Sequence, residues 1–326
     1  MKKYKICIVG ASGLVGEKLI DLLNRYNFPI SKIFLYASKR SAGKIVKIGE
    51  KSYKIRKLTT KFAKKVDFTF FMTDAKISSK YIPYCLNSTY VIDNSSAFRL
   101  KDNVPLIVPE INFSQIKDAR VISNPNCTTA ICALPIYLIS KLYKITNINA
   151  CSYQSVSGFG YKGLNALNNK DLSKKIFNED ITQTCIPKIG EYLRSGYTTE
   201  EQKLIDETKK IFNNSELKIS ATCVRVPIPY CHSVVLQITT EQKMDLNMIK
   251  NAFKQDKLVI FCNEDELFEL PTCPHATNNE KIFVGRMRLD LSKENTLLLF
   301  ITGDNLMRGA AYNAYRIMEK LIDDSL

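Results

Sequence analysis

Lys5-Ile6-Cys7-Ile8-Val9-Gly10-Ala11-Ser12-Gly13-Leu14-Val15-Gly16 begins as an apolar run, breaks at a glycine turn and passes into an amphipathic segment. Lys5 to Val9 has the character of a buried strand, and Leu14 to Arg25 the periodicity of a helix. Glycines in the turn let the backbone approach a pyrophosphate, whose charge the helix N-terminus favours. Gly10, Ala11, Ser12, Gly13, Leu14, Val15 and Gly16 are therefore candidate dinucleotide contacts. The spacing is GxxGxxG rather than GxGxxG, so a merely tight strand-to-helix turn remains the alternative.

Outward from this stretch, short apolar runs alternate with amphipathic ones, the pattern of βαβ units. Further strands are predicted at Ile33 to Tyr36, Phe68 to Met72, Tyr90 to Ile92 and Val121 to Ser123, then a helix from about Cys127 to Lys141. After Ile145 the strands lengthen and alternate, at Ile148 to Val156, Ile219 to Val226 and Val234 to Thr239. Glu200 to Phe212 has the look of a charged surface helix. Strands at Ile282 to Leu289 and Leu297 to Thr302 precede an amphipathic helix from about Leu306 to Ile322. The expected fold class is α/β: a Rossmann-type dinucleotide-binding domain plus an α+β domain with a largely antiparallel sheet. The expected boundaries are 1–127 with the C-terminal helix 306–326 for the first domain, and 128–305 for the second.

A chain of 326 residues suits two domains, and 45% hydrophobic with 24% charged residues is ordinary globular composition. No apolar run approaches the ~20 residues that span a bilayer. Met1-Lys2-Lys3-Tyr4 before Ile6 to Val9 resembles the start of a signal peptide, but the run stops at Gly10 with no small-residue cleavage site, so the cytoplasm is the expected compartment. Ten cysteines in this length do not make a dense disulfide framework; Cys7, Cys85, Cys151 and Cys185 are expected as core filler. The net charge of +15 raises the possibility of nucleic-acid binding. The lysines, however, are spread along the chain, without a helix-turn-helix, zinc knuckle or RNA-binding aromatic motif. A solvated basic surface, which also attracts acidic substrates, is the better account; a basic nucleic-acid-binding protein is the distant alternative.

The second strand runs into Ala37-Ser38-Lys39-Arg40-Ser41-Ala42-Gly43-Lys44, with no acid before Glu50. NAD-selective chains place Asp or Glu about 20 residues past the glycines to hold the ribose 2′-hydroxyl. Ser38, Lys39, Arg40 and Ser41 instead offer hydroxyls and cations to a 2′-phosphate, which predicts NADP; a basic surface turn is the alternative.

Asn124-Pro125-Asn126-Cys127-Thr128-Thr129-Ala130 lies between a strand and a helix, so Cys127 is expected at the helix's first turn, where the dipole favours a thiolate. A structural cysteine is the competing reading. Of two histidines, His232 follows Arg225-Val226-Pro227-Ile228-Pro229-Tyr230-Cys231 at a strand start, a suitable place for an acid/base. His275 looks like a loop residue without partners. Cys223, Cys231, His232 and Cys273 lack the paired spacing of zinc sites, and no metal is expected.

With these residues in view the chain resembles the aspartate-β-semialdehyde dehydrogenase family over nearly its whole length. The likeness rests on Gly10 to Gly16, Ala37 to Lys44, Val91 to Arg99, Val108 to Asn112, Asn124 to Cys127, Gln154 to Gly158, Ser220 to Pro227, His232-Ser233 and Gly303 to Leu306. The resemblance implies Cys127 as nucleophile, His232 as acid/base and Gln154 as the residue positioning the acyl group. It implies Arg225 on the substrate α-carboxylate and Arg99 on phosphate, with Asn126 also substrate-binding. Glu200 and Lys203 match a substrate-amine acceptor and a phosphate contact, and their i,i+3 spacing puts both on one helix face; a solvated surface ion pair is the alternative. Ser157, Gly158 and Asn305 match positions beside the nicotinamide. The sequence departs from the family at Met72-Thr73-Asp74-Ala75, which puts adenosine-side contacts in doubt. It also departs at Lys188 and Gly190, and at Cys231, where Gly or Ala usually precedes the histidine.

The implied reaction is NADPH-dependent reductive dephosphorylation of L-aspartyl-4-phosphate through a Cys127 thioester, in a homodimer or homotetramer with no nucleic-acid or membrane partner. N-acetyl-γ-glutamyl-phosphate reductase shares the layout, but its cysteine motif normally begins His-Pro-Gly. Malonyl-CoA reduction on the same scaffold is a further alternative.

Overall fold

A computed structural model describes residues 2–62, 65–85 and 90–324. Contacts divide the chain into two compact units, Met1–Asn126 with Ala310–Leu326, and Cys127–Gly309. The sequence-based boundaries differ from these by one residue at the first crossing and four at the second.

The first unit contains β1 (Tyr4–Val9), α1 (Leu14–Arg25), β2 (Ile30–Ala37), a hairpin of β3 (Ile45–Ile48) and β4 (Lys51–Lys54), β5 (Arg56–Lys57), β6 (Phe68–Phe71), α2 (Ala75–Tyr81), β7 (Tyr90–Asp93), α3 (Pro109–Asn112) and β8 (Val121–Ser123). Its sheet runs β5-β2-β1-β6-β7-β8, and every pairing is parallel. Parallel strands need crossovers that cover both faces, which is why β1 and β6 are buried, near-continuous apolar runs rather than alternating ones. The strand order reverses beside β1, the position at which doubly wound sheets open a crevice for a nucleotide. The C-terminal helix, Tyr312–Asp323, returns to this unit, stacking Tyr315 on Tyr26 and donating Lys320 Nζ to the Pro109 carbonyl at 2.7 Å.

The second unit contains α4 (Cys127–Ser140), β9 (Ile145–Gln154), α5 (Gly160–Ala166), α6 (Lys170–Phe177), α7 (Thr199–Ile211), β10 (Lys218–Arg225), β11 (His232–Thr240), α8 (Leu246–Gln255), β12 (Val259–Phe261), α9 (Cys273–Ala276), β13 (Ile282–Leu289) and β14 (Thr296–Gly303). Its sheet order is β10-β9-β11-β14-β13-β12. The three central pairings are antiparallel, as expected, but both edge pairings, β10 with β9 and β12 with β13, are parallel, so the sheet is mixed. Ile131 and Leu134 of α4, Leu204 and Ile205 of α7, and Ile249 and Phe253 of α8 close one face of it over Val234, Leu236, Leu299 and Ile301. α4 is apolar almost throughout because it is buried on nearly all sides.

The charged surface helix expected over 200–212 is different in kind. In α7, Glu200, Glu201 and Glu207 are buried together with Leu204, Ile205, Thr208 and Ile211. Glu201 is retained there because it is fully used: it accepts from the Thr198 N–H at 2.6 Å in a capping box and from the Cys223 N–H of β10 at 3.0 Å. Two further expectations are corrected. Cys185 is exposed and Cys151 half-buried, whereas Cys7 and Cys85 are core. His275 sits in α9 with Nδ1 3.0 Å from Thr272 Oγ1 and its ring against Phe268, so it has partners.

Candidate active site

In the first unit the glycine turn closes directly onto the end of β6. Gly10 has φ +90°, and a Cβ there would overlap the Met72 carbonyl; a Cβ on Gly16 would overlap the carbonyl of Gly10. Only glycine permits this packing, which leaves the N-terminus of α1 starting at Gly13 without a side-chain cap. Ala11 is buried, while Ser12, Gly13, Leu14 and Val15 are half-buried. Ser38, Lys39 and Arg40 are exposed just past the end of β2, and Ser41 is buried. Two cations without a carboxylate at this strand end fit a phosphorylated ribose better than a free one. Within Met72–Ala75, Asp74 is occupied in capping α2, accepting from the Ile77 N–H at 2.9 Å.

Arg99, also in the first unit, is buried and held by main-chain carbonyls: Nε donates to Asn124 at 2.8 Å and Nη2 to Asn94 at 2.7 Å. Asn126 is buried at the end of the same unit.

In the second unit, strand register assembles the other candidates. Gln154 is the last residue of β9, and it pairs with Arg225, the last of β10, on one side and His232, the first of β11, on the other. Three side chains distant in sequence thus stand in one row at one end of the sheet. All three are buried. Gln154 Nε2 lies 3.4 Å from Glu200 Oε1, and Lys203 Nζ lies 3.2 Å from Glu200 Oε2. The Glu200–Lys203 pair expected on one helix face therefore forms, with its carboxylate turned inward rather than to solvent. Arg225 Nη1 donates to the Ser155 carbonyl at 2.6 Å, and its charge interacts with Glu200 and Cys127.

His232 is fully buried. Burial first, and then the neighbouring Arg225 charge, press its pKa down to about 3, so the ring is neutral at physiological pH. Its Nδ1 accepts from the Ser155 N–H at 3.1 Å, and Nε2 has no hydrogen-bond partner among the described residues. Gly158 lies over both groups: a Cβ there would be 2.8 Å from Arg225 Nη1 and 3.6 Å from His232 Nε2. Asn305 is a hub rather than a free amide. Its Oδ1 accepts from the Cys231 N–H at 2.9 Å and from the Ser155 and Ser157 hydroxyls, each at 3.2 Å.

Cys127 is the first residue of α4 and half-buried. Beneath it lies Gly309, in a π-helical turn over Met307–Ala311; a Cβ on Gly309 would fall 2.9 Å from the Cys127 Cβ. Single π-turns of this kind occur frequently at functional sites. Gly309 and Ser155 carry positions that sequence reasoning assigned to neither. Glycine in the first turn of an amphipathic helix is the available signal for Gly309; Ser155 falls inside the strand expected over Ile148 to Val156 and in the stretch Gln154 to Gly158 that carries the resemblance, which gives it no role of its own.

The semialdehyde dehydrogenase NAD-binding domain model matches residues 5–119, and the semialdehyde dehydrogenase dimerisation domain model matches residues 137–308. An aspartate-semialdehyde dehydrogenase of Rickettsia bellii is 37% identical over 333 residues, covering 98% of each chain. The crystal structure of aspartate semialdehyde dehydrogenase II from Vibrio cholerae superposes with a TM-score of 0.93 at 32% identity over 100% of both chains. The structure of that enzyme complexed with ASA gives 0.93 at 31% identity, again over 100% of both chains.

Proposed function

This chain belongs to the aspartate-semialdehyde dehydrogenase family, and we propose that the row Arg225–Gln154–His232 works with Cys127 as its reaction centre. The activity is NADPH-dependent reductive dephosphorylation of L-aspartyl-4-phosphate to L-aspartate-4-semialdehyde, a step in building lysine (through diaminopimelate), threonine and methionine from aspartate. Cys127–Gly309 is the catalytic and dimerisation unit, and Met1–Asn126 with Ala310–Leu326 binds the cofactor. The matching dimerisation domain supports a homodimer, with a homotetramer as its possible doubling. No helix among the described residues is long and apolar enough to cross a membrane, and ten free thiols suit a reducing cytoplasm.

The Cys127 sulfur attacks the β-carbonyl of the acyl phosphate. The Cys127 thiol first gives its proton to solvent; the S–C bond then forms and the C–O bond to phosphate breaks, with Arg99 and Lys203 as the proposed contacts of the departing phosphate. Arg225, charge-coupled to Cys127, favours the thiolate that attacks. Gln154 positions the acyl group. Gly10 to Gly16, Ser38 to Ser41, Ser157, Gly158 and Asn305 would hold NADP, whose reduced form would supply the hydride that the thioester carbon needs. Neutral His232 presents Nε2–H to the oxygen on which negative charge develops, a donor in a dry site where it counts most. Collapse releases the semialdehyde and returns the Cys127 thiolate, which takes up a proton.

The observation that carries the choice of substrate is the pair of buried opposite charges, Arg225 and Glu200, beside the same row. An α-amino acid presents one carboxylate and one ammonium on a single carbon, and this pair answers both. The test is phosphate-dependent NADP reduction with aspartate semialdehyde beside N-acetylglutamate semialdehyde. Activity with the first and little with the second is expected; the reverse would transfer the chain to acetylglutamyl-phosphate chemistry.

A further inference from the structure

Cys231 stands immediately before His232 with φ +70°, a backbone conformation in which glycine is the low-strain residue. Its S–H donates to the Cys273 carbonyl, with Sγ 3.4 Å from that oxygen and 3.3 Å from Thr277 Oγ1, so the side chain lies directly against Cys273. Cys273, at the start of α9, is half-buried, and its Sγ also lies 3.6 Å from Ser233 Oγ. Ser233 and Cys231 thus flank His232 and both reach Cys273. Among the described residues no three metal-donor side chains come together, so the two thiols are not part of a metal-ligand cluster there.

We propose that Cys231 and Cys273 form a peroxide-sensitive dithiol whose oxidation to a disulfide displaces His232 and reversibly switches the enzyme off. The division of labour follows from the surroundings. Cys273 is half-exposed, and the neighbouring Cys231 and Ser233 side chains draw its thiol down, so it is the accessible and more readily ionised partner. The neighbouring Cys273 and complete burial push Cys231 up and keep it a thiol. The Cys273 thiolate attacks one oxygen of hydrogen peroxide, the O–O bond breaks, and a sulfenic acid and hydroxide result. The Cys231 sulfur then attacks the sulfenic sulfur. Its proton and the departing hydroxyl leave as water, and the S–S bond forms. Each sulfur is oxidised by one electron, and the peroxide is reduced to two waters overall. A small-molecule dithiol reverses the change by exchange.

The consequence for activity rests on the role proposed for His232. Covalent bonding pulls on the one residue whose N–H holds Asn305 Oδ1, the oxygen that also receives Ser155 and Ser157. Ser155 is in turn the group that fixes the His232 ring. Buried Cys262, in the same apolar cluster, lacks this arrangement: burial pushes its thiol up to about 11 and its Sγ turns to the Ile260 carbonyl.

The test exposes the full-length enzyme to hydrogen peroxide, blocks remaining thiols with N-ethylmaleimide and maps peptides without reduction. A Cys231–Cys273 linked peptide is expected, accumulating in step with a loss of turnover that dithiothreitol restores. Cys273→Ser, and Cys273→Ala as a second variant, should keep wild-type turnover and lose activity to peroxide at least about tenfold more slowly. Residual inactivation in these variants reports oxidation of Cys127, which the same map scores. The proposal is overturned if no linked peptide forms, if Cys231 is found joined to Cys262, or if both variants are inactivated as fast as wild type. Because the linked peptide is scored by mass, a failure of the proposed reaction would leave this result standing, and the two readings are separable.

Discussion

The main-chain N–H of Ser155 donates to Nδ1 of His232 at 3.1 Å, inside a site where the ring is completely buried. A ring nitrogen that accepts a hydrogen bond does not carry the proton, so neutral His232 holds its proton on Nε2. The Ser155 hydroxyl also lies 3.2 Å from this nitrogen, while its own proton goes to Asn305 Oδ1. The histidine is thereby fixed as a donor at Nε2, which suits stabilising an oxyanion more than drawing a proton from a thiol. A pair of residues only one strand apart in the sheet sets the protonation geometry of the site.

The buried neutral ring also makes stability depend on pH. Its folded pKa of about 3 lies below the ordinary value of 6.5, so between those values the unfolded chain binds the extra proton. The contribution is complete above pH 6.5 and declines as the pH falls toward about 3. At about pH 4.5 the loss from this group alone should be ~3 kcal/mol. Urea unfolding at pH 7 and at about pH 4.5 should show a smaller acid-induced loss for His232→Gln than for wild type. Equal losses would mean that the ring is not held neutral.

Gly309→Ala tests the floor beneath Cys127, the proposed nucleophile. The added methyl would stand 2.9 Å from the Cys127 Cβ, closer than such carbons approach one another. Either Cys127 or the π-helical turn has to shift. A displacement of a few tenths of an ångström at the attacking atom should lower kcat by about ten- to a hundredfold while circular dichroism stays native. Alkylation of Cys127 by iodoacetamide should slow in parallel; unchanged alkylation and kcat would remove Gly309 from the site.

How much of this was legible follows from what each feature depends on. Leu14–Arg25, Val121–Ser123 and Ile282–Leu289 have the bounds that periodicity and turn residues indicate, because local pattern determines them. The cluster of Arg225, Gln154 and His232 depends on the register of three strands, which no spacing in the chain encodes. Their roles came from resemblance; their juxtaposition came from the pairing. The buried face of α7 was hidden for a physical reason. A glutamate at a helix start looks solvated unless its donors are known, and for Glu201 these are the N–H groups of Thr198 and Cys223. The parallel edge strands and Gly309 were likewise invisible, since both are facts about neighbours remote in sequence.

The strand end at Ser38–Arg40 predicts cofactor choice. Both basic side chains there are exposed, and no carboxylate shares the turn. Arg40→Ala should weaken NADP by about ten- to a hundredfold, the loss of one charge-assisted contact, and leave the weaker use of NAD nearly unchanged. Steady-state KM values for the two cofactors decide it. Wild-type enzyme that used NAD as efficiently as NADP would undo the reading of this turn.

Arg225 and Glu200 make the sharpest prediction, because each is asked to meet a different charge of one substrate carbon. Arg225 already spends Nη1 on the Ser155 carbonyl at 2.6 Å, a bond that orients the rest of its planar fork. Lysine at this position keeps the charge but loses the fork, so Arg225→Lys should raise KM for aspartate semialdehyde and lower kcat together. The lowered kcat is expected because the same guanidinium is charge-coupled to Cys127. Glu200 differs. Buried Glu200 has its carboxylate balanced by Lys203 and touched by Gln154. Glu200→Gln keeps the shape and removes the charge, so binding should suffer more than rate, by about tenfold or more in KM. An N-acetylated substrate brings no ammonium to this carboxylate and would leave it desolvated against an amide, costing about 2–5 kcal/mol in the transition state relative to the free amine. Wild type should therefore prefer the free amine strongly, and Glu200→Gln should narrow that preference by raising KM for the free amine alone. If Glu200→Gln weakened both substrates equally, the carboxylate would be holding Lys203 and the helix rather than the substrate, and the assignment of the ammonium site would fail.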